Sequence, residues 1–124
     1  MKKNKMKKIL TAAFCAAMAS PALAQGWPTG YEGVMLQGFY WDSYSDSQWK
    51  NLEKQAPELG SYFSLLWVPQ SGKCLEEHNV MGYTPYYYFD QNSSFGSEAE
   101  LRSMIGAMRQ NGVGVLADVV VKHH

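Results

Sequence analysis

Apolar positions along the 124-residue chain fall into two alternating patterns. Leu101, Met104, Ile105 and Met108 recur at i, i+3, i+4 and i+7, the spacing of one face of an α-helix. Ser97-x-x-Glu100 precedes them as a capping box, and Asn111-Gly112 supplies the stop. Trp49, Leu52, Ala56 and Leu59 repeat the pattern and predict a helix over 48–59. Ser45, Asp46 and Ser47 are its N-cap candidates and Gly60 its natural end. Pro57 falls inside that span and predicts a kinked or loosened last turn, because its ring displaces the carbonyl four residues earlier.

Around the helices the pattern changes. Residues 33–41 (GVMLQGFYW) and 62–68 (YFSLLWV) are rich in β-formers and predict strands, the second closed by Pro69. Residues 113–121 form a β-branched apolar run with one carboxylate, Asp118, and end in Lys122, His123 and His124. Such a run predicts a strand buried on both faces in a parallel sheet. Residues 25–32 are a turn-rich lead-in and 70–79 a polar loop. The aromatic stretch 80–90 is interrupted by Pro85 and suits an ordered loop better than a strand. Strand, helix, strand, long loop, helix, strand is the order of βαβ units, so the class is α/β with a parallel sheet. Three strands and two helices leave the sheet unfinished. A doubly wound domain needs about five strands, and a closed barrel of eight strand–helix units needs about 250 residues. The chain therefore reads as the front of a larger domain.

Composition adds less than the charge distribution does. Hydrophobic residues at 46% are enough for a core, and aromatics at 14% fit a surface that stacks flat ligands or a dense core equally well. The formal charge of +0 hides an asymmetry: Lys2, Lys3, Lys5, Lys7 and Lys8 open the chain, and all 11 acidic residues follow Tyr31. The acidic remainder argues against nucleic acid and anionic membranes as partners. The basic start, the short apolar run 9–19 and Ala22-Leu23-Ala24 read as a signal peptide over 1–24, with 25–124 as the mature part. Export to the periplasm, the cell surface or the medium is the expected destination. Cys15 would leave with the leader, so Cys74 has no disulfide partner.

Three strand ends carry polar or aromatic residues: Tyr40-Trp41-Asp42, Pro69-Gln70, and Asp118 through His124. In a parallel sheet all three lie on one rim, where α/β proteins place their chemistry. Taken alone, His123 at a strand terminus is more often solvated than functional, and Asp118 more often a structural hydrogen-bonding group. Other motifs carry little. Gly112-Val113-Gly114 precedes a strand where a dinucleotide fingerprint must follow one. His123-His124 are adjacent and point apart, and Glu76-Glu77-His78 has no second ligand cluster. There is no P-loop and no nucleophile elbow.

Asp118-Val119-Val120-Val121-Lys122-His123 resembles the first conserved region, D-V-V-x-N-H, of the α-amylase family, glycoside hydrolase family thirteen. Leu36-Gln37-Gly38-Phe39-Tyr40-Trp41 resembles its first strand, and Trp67-Val68-Pro69 the W-x-P-P end of its second. Met81-Gly82-Tyr83-Thr84-Pro85 is similar to the G-Y-x-P loop, and Phe95-Gly96-Ser97 through Leu101 to the start of its second long helix. The resemblance implies the first three strands and two helices of an incomplete (β/α)8 barrel. It also implies retaining hydrolysis of α-1,4-linked glucans, the α-glucan being the partner. Tyr83 then corresponds to the aromatic that stacks on the sugar at the cleavage subsite, and His123 to the histidine that hydrogen-bonds it. Asp118 corresponds to an aspartate that supports the site.

Two departures qualify this. Lys122 stands where the family usually has Asn, a ligand of structural calcium; lysine offers donors and no acceptor, so no cofactor is expected. Retaining glycosidases also need two carboxyl groups about 5–5.5 Å apart. In the family these follow the fourth and fifth strands, which the 124 residues do not reach, so no catalytic residue is assigned and the chain alone is expected to be inactive. The alternatives are a non-catalytic starch-binding module built on the aromatic loop 83–89, and another family-thirteen activity.

Overall fold

The computed structural model describes residues 31–75, 81–87 and 89–121. The leader, Lys122, His123 and His124 lie outside the described residues, as do Glu76, Glu77 and His78. In chain order the elements are β1 (Met35–Gln37), α1 (Trp49–Leu59), β2 (Leu65–Val68), β3 (Lys73–Cys74), β4 (Pro85–Tyr87), α2 (Glu98–Gln110) and β5 (Gly114–Ala117). β1, β2 and β5 form one sheet in that order, and both pairings are parallel. Leu36, Leu66 and Val115 stand side by side across it.

Connections of this type are right-handed, so a strand order that never reverses puts both crossover helices on the same face. The core agrees. Trp49, Leu52, Ala56 and Leu59 of α1 meet Leu101, Met104 and Met108 of α2 over Leu66 and Val68 of β2, with Leu36 and Val115 packed against them. The two apolar stripes that the helical spacing predicts are therefore the two that are buried.

The helix termini divide. At α2 the capping box forms in full: the Glu100 amide donates to Ser97 Oγ at 3.3 Å and the Ser97 amide to Glu100 Oε2 at 2.9 Å. Ser97→Ala is expected to cost about 1 kcal/mol in a urea melt, the usual worth of such a cap. At α1 the N-cap is Gln48, without a side-chain cap. The predicted candidates are engaged in the preceding turn, where Ser47 Oγ donates to Ser43 Oγ and Asp46 accepts from the Tyr40 hydroxyl. The first helical amide, on Trp49, instead donates to the Phe95 carbonyl at 2.9 Å, tying α1 to the segment ahead of α2. Nor does Pro57 end its helix, which runs on to Leu59 and closes with the Gly60 amide on the Ala56 carbonyl. Pro57 is exposed, and water can solvate the carbonyl its ring leaves unpaired.

Three strand expectations need correction. All three strands of the main sheet are shorter than the apolar runs that contain them. β5 is not buried on both faces: it is an edge strand, and Val119 and Val121 beyond it are largely exposed, with a groove of about 500 Å³ along Val113 and Val115. The aromatic stretch is not wholly loop, since Pro85–Tyr87 pairs antiparallel with Lys73–Cys74. Proline is tolerated there because it opens a strand of a two-stranded sheet, where no ladder donor is lost from the interior. Among the described residues no helix is long and apolar enough to cross a membrane.

Candidate functional site

Parallel pairing brings the C-terminal ends of β1, β2 and β5 to one rim. Beyond the ladder, the Gly38 amide donates to the Trp67 carbonyl at 2.8 Å and the Asp118 amide to the Val68 carbonyl at 3.0 Å. The segments that carry Trp41 and Asp118 are thus fixed to the central strand before they diverge from it. Asp42 then turns the chain sharply with φ 65°, a left-handed conformation that aspartate tolerates better than most residues. Trp41, just before this turn, is 72% exposed.

Tyr83 reaches the same rim from the loop ahead of β4. Its hydroxyl donates to Asp118 Oδ2 at 3.2 Å across 35 residues of chain. Its ring lies nearly parallel to that of Trp41, 8° between planes and 6.1 Å between centroids, an offset stack. The structure therefore joins two of the three residues expected from sequence, Tyr83 and Asp118; His123 lies outside the described residues. It adds Trp41, which the sequence places only on the rim. Neighbouring positions cannot reveal a stack between side chains 42 residues apart.

Gly82, directly before Tyr83, has φ 88°, and a Cβ there would stand 2.4 Å from the Gln70 carbonyl oxygen. Only glycine lets the loop approach β2 this closely. An open cleft of about 510 Å³ is lined by Gln70, Phe89, Asp118 and Val120 among others, and of the site residues only Asp118 borders it.

Burial, then the charge and hydrogen bond of Asp118, raise the Tyr83 phenol above its ordinary value. A group whose pKa is higher in the folded state adds stability that is complete below the unfolded value and fades as pH rises through the folded one. Tyr83 is therefore expected to favour folding fully below about pH 10 and to lose that contribution above it. Urea melts of the parent and Tyr83→Phe proteins from pH 7 to 11 check this: their stability difference should narrow only at the alkaline end.

Among the described residues no three His, Cys, Asp or Glu side chains gather as a metal cage. Position 122, on which the resemblance would call for calcium, is a lysine with no acceptor atom. That side chain could not serve as a calcium ligand, and no step is routed through the ion.

No protein-family model matches the chain. Curated relatives do. It is 34% identical over 91 residues to probable alpha-amylase 2 of Arabidopsis thaliana, covering 73% of this chain and 21% of that protein. It is 32% identical to the chloroplastic alpha-amylase 3 of the same plant, over 82% of this chain and 11% of that protein. With the glucan 1,4-alpha-maltotetraohydrolase of Roseateles saccharophilus it shares 35% identity, over 95% of this chain and 25% of that protein. The chain thus spans between 11% and 25% of the length of these relatives.

Proposed function

The chain belongs to the α-amylase family as a fragment of an amylase-type glycoside hydrolase, and from that premise we propose that its rim binds α-glucan. β1, β2 and β5 are then the first three strands of an incomplete (β/α)8 barrel, a reading supported by their unreversed parallel order and by both helices sharing one core. The observation that carries the binding role is Tyr83: ring against Trp41, hydroxyl on Asp118. Two amphipathic rings held nearly parallel offer apolar faces to a sugar and leave their polar edges for its hydroxyls. Tyr83 stacks on the sugar, Asp118 holds the phenol in place, and His123 supplies a hydrogen bond to the same sugar.

In the family the acid/base and nucleophile follow later strands, so cleavage of α-1,4 linkages is not assigned to these 124 residues, which bind without hydrolysing. The lysine-rich leader favours export of that protein.

Titrating maltoheptaose into the chain in a calorimeter tests this. Saturable heat is expected with no new reducing ends, and Tyr83→Ala or Trp41→Ala should weaken binding about tenfold, the worth of one aromatic stack. No heat at millimolar sugar would overturn the binding role, and released maltose would overturn the division between binding and cleavage.

A further inference from the structure

One buried polar side chain at the rim lies outside the roles described so far. Gln70, at the end of β2, is 7% exposed and uses both ends of its amide. Oε1 accepts from the Gly72 amide at 3.0 Å, and Nε2 donates to the Val120 carbonyl at 3.3 Å, across 50 residues of chain. Its own carbonyl is the surface against which Gly82 packs. Gln70 therefore touches both segments that carry the site pair: the one leading into Tyr83 and the one leaving Asp118.

We propose that Gln70 is the positioning residue of the glucan site, clamping the 118–120 segment to β2 while its backbone fixes the height of the Tyr83 loop. The inference rests on the α-glucan reading for what the site binds, but not for the clamp itself. The chemistry at position 70 supports it. This strand ending is W-V-P-Q where the family pattern has a second proline, and a proline side chain could form neither of these hydrogen bonds. Without the Nε2 bond the Val120 carbonyl loses its tie to Gln70; the Asp118 amide keeps its bond to the Val68 carbonyl, but the segment is then pinned at that end alone and the Asp118 carboxylate can turn away from the phenol.

The test reads the Tyr83 phenol directly in the unliganded chain, by NMR titration of ring-labelled tyrosine assigned through Tyr83→Phe. Burial first, and then the charge and hydrogen bond of Asp118, hold this phenol up, and a loop or segment that shifts changes both. Tyr40, whose phenol is raised by its hydrogen bond to Asp46, is the internal reference. In Gln70→Leu, Tyr83 is expected to titrate closer to the ordinary value of about 10 while Tyr40 stays put. Gln70→Glu should behave like Gln70→Leu at neutral pH, where a carboxylate cannot donate to Val120. At neutral pH both variants should bind maltoheptaose about tenfold more weakly, one hydrogen bond's worth.

A melt of each variant confirms that it is folded, and Gln70→Glu stands in should Gln70→Leu fail to fold. An unmoved Tyr83 titration in a folded variant would overturn the clamp. If Tyr83 moves but no form of the chain binds maltoheptaose, the clamp stands and the glucan reading falls.

Discussion

Trp49→Ala is expected to unfold the protein, or nearly so. Trp49 has no exposed surface, stands first in α1, and packs its ring on Phe95 with centroids 5.2 Å apart. It also abuts Gly96, where a Cβ would come within 2.9 Å of the indole. Emptying a site of this size costs about 3–5 kcal/mol, because the surrounding helices cannot collapse into it. Natural domains have only about 5–15 kcal/mol in all. Here the margin is narrower, since β1 and β5 are open edges and one face of the sheet still carries half-exposed side chains. The specific cause is separable from a general intolerance of change at this position. Trp49→Phe keeps an aromatic ring in place, leaves a much smaller void, and gives up an indole N–H that has no hydrogen-bond partner among the described residues. Circular dichroism with urea should show the alanine variant lacking a folded baseline and the phenylalanine variant retaining one.

Gly82→Ala is expected to leave the fold standing and remove the site. At φ 88° an alanine incurs the left-handed penalty of about 1–2 kcal/mol. The added methyl would also meet the Gln70 carbonyl oxygen at 2.4 Å and the Gln70 Cβ at 2.8 Å, both close to the backbone and unable to swing aside. The loop must back away from β2, carrying Tyr83 off Asp118 and Trp41 together. Gly112→Ala is the matched control: it too has a positive φ, 76°, but its Cβ would meet nothing within 4 Å. The control should lose about 1 kcal/mol and keep its maltoheptaose affinity, whereas Gly82→Ala should lose at least about 2 kcal/mol and measurable binding with it. Equal affinity in the two variants would separate the Gly82–Gln70 contact from the site.

The helices were legible from their local periodicity, and the parallel class of the sheet from the alternation of strands and helices. Leu101, Met104 and Met108 announce their buried face at helical spacing, and the capping box announces where that helix begins. What was not legible depends on partners distant in sequence. The first amide of α1 donates to the distant Phe95 carbonyl, so the serines before it are free to build a turn instead. β3 and β4 draw on a polar stretch and a proline-led one, and neither carries a strand pattern of its own. Full burial of the last strand was expected from its composition, but an edge strand is buried only as far as its neighbours reach. At the site, family motifs mark Tyr83 and Asp118 separately, and only the fold shows that one donates to the other. Trp41 and Gln70 could be placed on the rim from their strand ends, but not given partners, because their contacts lie 42 and 50 residues away.

Sugar is expected to lie against Trp41 and Tyr83. The most direct measurement is an NMR titration of the isotope-labelled chain with maltoheptaose, following the indole signals and the backbone amides. Saturable shifts are expected at the Trp41 indole and at the Gly82 and Asp118 amides, while the buried Trp49 indole stays still. Shifts confined to Tyr86 and Tyr87 on the two-stranded sheet, or none at saturating sugar, would contradict this placement of the sugar.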